Sequence, residues 1–245
     1  MRCLIGIDDT DNLESRGTGF RARQLGARLA DAGLGRVRGI TRHQLFVHPS
    51  IPYTSHNSSA CLDVDIAGDR LDAVRDFCRD YLAQESAEGS DAGLCLSDFD
   101  AVTDDLVAFG RSAKGTIHTQ DQARSLAARH GAHLEGVTGD QGGVIGALSA
   151  VGLRRGGHDG RFIWLEGVRE LTGTISAGDL VATTGIDSVE STDGHPLAED
   201  AMVLVDPWPR PVLLHGKAVL LTETNEDGHE HGGWKILCKE AIRRY

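Results

Sequence analysis

A chain of 245 residues with 40% apolar and 25% charged positions carries enough apolar side chains for one large core or two small ones, which excludes disorder over most of its length. Its net charge of −11 argues against nucleic-acid binding through the whole surface. No stretch approaches the roughly 18 apolar residues of a membrane span, and Met1-Arg2-Cys3-Leu4 enters a strand-like run at once, so neither a signal peptide nor a membrane partner is expected.

Cys3–Ile7 reads as a buried strand, followed by Asp8-Asp9-Thr10-Asp11-Asn12 and then Arg16-Gly17-Thr18-Gly19. Residues from Phe20 to Ala32 have helical spacing, and Gly33 ends that helix. A strand is predicted over 37–47 and a loop over 48–52. A half-exposed strand over 60–66 should turn Cys61, Asp63 and Asp65 to one face and Leu62, Val64 and Ile66 to the other. Helices follow over 70–83, 104–112 and 120–130, with a short strand at Gly93–Leu96. This alternation argues for an α/β domain. Gly139-Asp-Gln-Gly-Gly143 is the best candidate boundary, and beyond it lie an Ala-rich helix over 144–151 and strands at 161–165 and 203–205. The five cysteines, Cys3, Cys61, Cys78, Cys95 and Cys238, include no C-x-x-C pair. A disulfide framework or zinc ribbon is therefore not expected, and a reducing cytoplasm is.

Three carboxylates in four positions, Asp8, Asp9 and Asp11, stand just past a buried strand. Crowded carboxylates raise one another's pKa unless a cation holds them, and Mg²⁺ with a triphosphate is a natural partner. The alternative is a solvated turn that caps the next helix. Gly17 and Gly19 would let backbone N–H groups approach phosphate, and Thr18 offers a hydroxyl that could ligate, cap the helix or accept a phosphoryl group. Ser55-His56-Asn57-Ser58 has the composition of a ligand loop and equally of a turn. Lys114, the only lysine in the first 216 residues, is followed by Gly115; it is either a point charge for phosphate or part of a helix C-cap. Seven arginines lie between Arg16 and Arg42 against one acid, Asp31, a stripe that either faces phosphate or is a solvated helix face. His229 and His231, with Asp227 and Glu230, sit in an acidic Gly-rich segment whose spacing only weakly suggests a metal.

Several of these segments together resemble one family. Ile5-Gly-Ile-Asp-Asp-Thr-Asp11 resembles the opening of archaeal tRNA-isoleucine agmatinylcytidine synthetases. Pro49-Ser-Ile-Pro-Tyr53 is similar to that family's N-P-x-I-P-Y, and His56-Asn-Ser-Ser-Ala60 stands where it has R-G-N-G-A. Gly142-Gly-Val-Ile-Gly-Ala-Leu-Ser-Ala-Val-Gly152 is similar to its G-x-G-L-I-G-A-L-A-A-V-G, and residues 203–214 to a later strand with P-x-P-V-L.

The resemblance implies an α/β (α+β) fold, with a kinase-like ATP-binding domain over 1–138 followed by a ferredoxin-like domain over 139–245. It implies ATP and Mg²⁺ as cofactors, with a carbonyl oxygen of a tRNA cytidine or smaller acceptor phosphorylated before an amine attacks. On that reading Asp8, Asp9 and Asp11 hold the metal and, with Thr18 as candidate phosphoryl acceptor, are catalytic. Gly6, Thr10, Arg16, Gly17, Gly19, Ser55, His56, Asn57, Ser58, Lys114 and Gly115 form the ATP site. The family's K-T-R-G is Thr54-Ser55-His56-Asn57 here, and its OB-fold and zinc ribbon find no counterpart in 245 residues. The expectation is a stand-alone relative of the catalytic half, with a nucleotide as partner and tRNA as a second candidate. The rival readings are a non-catalytic nucleotide-binding module and a tRNA-binding protein that uses the Arg16–Arg42 stripe.

Overall fold

A computed structural model describes residues 1–54, 56–225, 233–243 and 245. Ser55, Asp227, His229, Glu230 and His231 lie outside the described residues. The chain divides into two compact units, Met1–Gly156 and Gly157–Tyr245. The division falls past the Ala-rich helix, which the sequence pattern assigns to the second domain.

In the first unit the order is β1 (Arg2–Asp8), α1 (Thr18–Asp31), β2 (Arg36–Gln44), β3 (Ser58–Asp65), α2 (Leu71–Glu85) and β4 (Gly93–Asp98). After these come α3 (Asp104–Ser112), α4 (Gln120–Arg129), β5 (His133–Gly136) and α5 (Val144–Gly156). The strands lie in the order β5-β4-β1-β3-β2, and every pair among them is antiparallel. A β-α-β-β-α-β order with β1 between β4 and β3 is the split β-α-β arrangement of ferredoxin-like folds. The fold is thus α+β. The split arrangement lies in the first unit, over which the resemblance implies a kinase-like domain. The expected α/β alternation is present, but the direct return from β2 to β3 interleaves the two β-α-β crossovers, so neighbouring strands are antiparallel.

Both faces of this sheet are covered. Leu25, Gly26 and Leu29 of α1 are buried, and a side chain at Gly26 would meet Val37, Ile40 and Leu62. The other face carries Leu4, Cys61 and Cys95, which pack with Ala147, Leu148 and Val151 of α5. Every residue of α5 from Gly146 to Arg154 is buried, as expected of a helix with layers on both sides. Its second neighbour is α3: Gly152 lies against the Leu106 carbonyl, and a Cβ on Gly110 would stand 2.8 Å from the Ser149 carbonyl.

This covering layer explains one difference from the sequence pattern. The alternation puts Asp63 at the solvated face of its strand, yet it is fully buried and held by Arg154 of α5. Gly6 is explained in the same way. A Cβ there would collide with the Ala147 carbonyl and stand 3.1 Å from Val151 Cγ2, so glycine is needed for α5 to seat on β1. Gly6→Ala is expected to destabilise the fold by about 1–3 kcal/mol, the usual cost of overpacking. A urea titration checks this; an unchanged midpoint would show that α5 shifts freely.

In the second unit the strands are β6 (Arg161–Trp164), β7 (Thr174–Ser176), β8 (Ser188–Ser191), β9 (Met202–Leu204), β10 (Val212–Leu214), β11 (Lys217–Thr224) and β12 (Trp234–Ile236), with short helices α6 (Ala177–Thr183) and α7 (Lys239–Ile242). The strands run β6-β10-β11-β12-β9-β7, with β8 parallel to β11. Leu180, Val189, Val203, Val205 and Leu220 form part of its core. Among the described residues no helix is long and apolar enough to cross a membrane.

Candidate functional site

In the first unit a cleft opens where β1 ends. Asp8, Asp9, Asp11 and Thr18 line one part of it, Gly142, Gly143, Ile145 and Gly146 another, and Ile51, Pro52 and Tyr53 an apolar wall. Asp9 has φ +52°, a left-handed conformation that Asp tolerates better than most residues. The turn breaks the strand's alternation, so consecutive carboxylates line the same cleft. The first residue of α1, Thr18, and the first turn of α5, Ile145–Gly146, also line it. Two helix N-termini therefore meet at the carboxylates, and each favours an anion.

The carboxylates are poorly accommodated on their own. Burial, the neighbouring Asp9 charge and more weakly Asp11 push Asp8 up to about 8, against a partly opposing backbone hydrogen bond. Asp9 is pushed up to about 6 by burial, then by Asp91 and Asp11. Asp11 is held differently. Its Oδ1 accepts from the Thr18 hydroxyl at 2.8 Å and the Thr18 N–H at 3.0 Å, and its Oδ2 accepts from Thr54 at 2.8 Å. The Thr10 hydroxyl donates to Thr18 Oγ at 3.2 Å. Among the described residues no group of three or more His, Cys, Asp or Glu converges on a point that could hold a metal. Threonines engage both oxygens of Asp11, whereas among the described residues no hydrogen bond from a threonine reaches Asp8 or Asp9.

Of the expected residues, Asp8, Asp9, Asp11, Thr18, His56, Asn57 and Ser58 line the cleft. The other described ones stand apart from its wall. Gly6 sits under α5, and Thr10 is fully buried behind Thr18. Arg16 lies over the Phe20 ring at 4.5 Å. Gly17 is the N-cap of α1 and Gly19 lies in its first turn. Lys114 Nζ donates to the Gln44 carbonyl at 3.2 Å, and Gly115 has nothing near its α-carbon's open side. The glycines that face the cleft are instead Gly142, Gly143 and Gly146. The sequence pattern assigns them to a boundary and a helix, although a Gly-rich turn entering a helix is itself a phosphate signal. Asp91 and His118 also escape sequence reasoning; each is an isolated residue whose position only the fold supplies.

Part of the Arg16–Arg42 stripe is paired with acids from elsewhere in the unit. Arg21 and Arg28 pair with Glu85 and Arg38 with Asp65, while Arg42 donates to Ser58. That weakens the reading of this face as a phosphate-binding strip.

In fold the chain is similar to solved tRNA-modification enzymes. Two solved structures of TiaS, an agmatidine synthetase that acts on an isoleucine tRNA, are similar to it. The apo form has a TM-score of 0.53 at 25% identity, over 62% of this chain and 35% of that one. The complex with that tRNA and ATP has a TM-score of 0.54 at 25% identity, over 62% and 36%. A tRNA fluorescent labelling enzyme matches with a TM-score of 0.54 at 27% identity, over 62% and 36%. An uncharacterized protein of Methanocaldococcus jannaschii is 29% identical over 158 residues, 62% of this chain and 50% of its own length. The chain thus spans half of that relative and about a third of the solved chains. No family model matches it.

Proposed function

We propose that the first unit binds ATP and carries out the ATP-dependent step of an RNA-base modification. The observation that carries this reading is the meeting of two helix N-termini with two destabilised carboxylates in one cleft, which suits a cation-bridged polyphosphate. The similarity to the TiaS complex with tRNA and ATP supports it.

Asp8 and Asp9 fit a magnesium ion, because each is raised by burial and by like charge and a cation relieves both. One or two carboxylates suffice for magnesium where phosphate oxygens complete its shell. Bound there, it neutralises charge that builds up on the phosphates. The helix starts at Thr18 and Ile145–Gly146 favour phosphate through their dipoles, since the Thr18 and Ile145 N–H groups already donate to Asp11 and Gly142, and the Ile51–Tyr53 wall excludes water from the rest of the nucleotide. Thr18 is the phosphoryl acceptor: an O–P bond forms at Oγ, the bond to the ADP oxygen breaks, and Asp11 takes the hydroxyl proton across its 2.8 Å hydrogen bond. The Thr18 Oγ–P bond then breaks as the phosphoryl group passes to a carbonyl oxygen of a tRNA cytidine, or of a smaller acceptor, and an amine attacking that carbon displaces the oxygen as phosphate.

The test uses [γ-³²P]ATP and Mg²⁺ with tRNA transcripts or cytidine, with and without agmatine. ADP and labelled protein should form, and Thr18→Val should lose the labelled protein and lower turnover by about 100-fold or more. No ATP consumption with any acceptor, together with no heat on titrating Mg²⁺ and ATP, would leave only the second unit to account for the chain's activity and end this reading.

A further inference from the structure

His118 lines the same cleft as Asp8, Asp9 and Thr18, yet nothing in the ATP-dependent step uses it. It follows α3 on a short loop and is held on two sides. Its ring packs on Phe109, with centroids 4.4 Å apart and planes tilted by 38°. Its Nε2 lies 2.7 Å from Ser112 Oγ. The Ser112 hydroxyl already donates to the Phe109 carbonyl at 2.8 Å, so its proton is committed and its oxygen is left to accept. The hydrogen-bond pattern therefore assigns the ring proton to Nε2 and the lone pair to Nδ1. Phe109 is 8% exposed, so the ring rests on a fixed wall, and fixed orientation is what a proton-transfer group needs. Of the cleft's carboxylates, Asp8 and Asp9 are assigned to the cation and Asp11 to Thr18, while Asp91 accepts from the Asp140 N–H at 2.6 Å; Tyr53 lies on the apolar wall. His56 is the remaining imidazole on the wall, and it is exposed.

We propose that His118 is the general base of the second step, taking the proton from the attacking amine through Nδ1. This rests on the function proposed above. As the nitrogen attacks the activated carbon, the N–C bond forms and the C–O bond breaks. The electron pair leaves with phosphate, and the amine proton passes to the imidazole. The partner class this implies is a primary amine, which is protonated in neutral water and must lose protons to react.

The test compares His118→Asn and Phe109→Leu with the wild-type full chain. Phosphorylation from ATP without amine is followed separately from amine incorporation. His118→Asn should keep the amine-independent phosphorylation within about twofold and lose about 100-fold or more in kcat for agmatine incorporation. Hydroxylamine, which is largely unprotonated at neutral pH, should restore incorporation in this variant to within about tenfold of wild type, because it needs no base. Phe109→Leu should lower incorporation less and show no such rescue. Equal loss with agmatine and hydroxylamine, or no loss, overturns the role of His118 while leaving the ATP-binding reading intact. Absence of ATP-dependent phosphorylation in the wild type removes both.

Discussion

Replacing Asp8 by asparagine is expected to make the ligand-free protein more stable and to abolish its ATP turnover. The folded protein holds the Asp8 proton up to a pH of about 8, whereas the unfolded chain releases it near 3.8. Between those values the unfolded state binds fewer protons, so the Asp8 contribution to stability falls as pH rises. The loss is absent below about pH 4 and complete above about pH 8, and Asp9 adds a smaller loss of the same sign up to about pH 6. Asparagine fills the same space without titrating. The melting temperatures of the two proteins should therefore coincide at pH 4 and diverge towards pH 8. The difference in unfolding free energy at pH 8 should be on the order of 2–5 kcal/mol, nearer the lower figure because Asp8 keeps some solvent contact. Added Mg²⁺ and ATP should raise the melting temperature of the wild type and not of Asp8→Asn. Parallel curves from pH 4 to 8, or a variant that still turns over ATP, would show that Asp8 is an ordinary solvated carboxylate.

Much of the first unit can be read from the sequence. Cys3–Ile7, Asp104–Ser112 and the helix after Arg70 carry clear periodicity, and the structure has elements at each. Strand direction is not legible in the same way. A strand–helix–strand alternation is compatible with parallel crossovers and with the split arrangement, and only the pairing of β1 with both β3 and β4 decides between them. Asp63 misleads for a related reason: alternation shows which residues share a face, not whether a helix covers that face. The second unit is hardly legible, because strands of three or four residues such as Thr174–Ser176 and Trp234–Ile236 are too short for a period to emerge.

The site shows the same division. Asp8, Asp9, Asp11 and Thr18 are close in sequence, and the structure keeps them together on the cleft. Their individual roles depend on partners far along the chain, such as Thr54 on Asp11 and Asp91 near Asp9. The Gly142–Gly146 turn reaches the cleft only because α5 crosses the back of β1, a consequence of Gly6 and Gly146 lacking side chains. A Cβ on Gly146 would strike the Asp8 carboxylate.

The position of α5 leads to the second large effect, at its other end. Asp63 is fully buried and accepts from Arg154 Nη2 at 2.7 Å and from Arg2 Nη2 and Nε at 2.6 and 2.9 Å. Burial pushes the Arg154 guanidinium down despite the attraction of Asp63, so the carboxylate is what makes a charge tolerable there. Asp63→Asn should therefore cost about 3–5 kcal/mol, the penalty for a buried charge without its counter-ion. Arg154→Met alone should cost less, because Asp63 keeps Arg2, whose side chain is 31% exposed and lies over the Phe99 ring at 3.6 Å. The double variant Asp63→Asn/Arg154→Met should recover at least half of the loss, a coupling of about 1.5 kcal/mol or more in a double-mutant cycle read by urea denaturation. The pair fixes the C-terminal end of the helix whose N-terminal end lines the cleft. Asp63→Asn should accordingly weaken ATP binding even where the protein remains folded. Additive single effects with unchanged ATP affinity would mean that α5 is held by its apolar packing alone and that the two ends are independent.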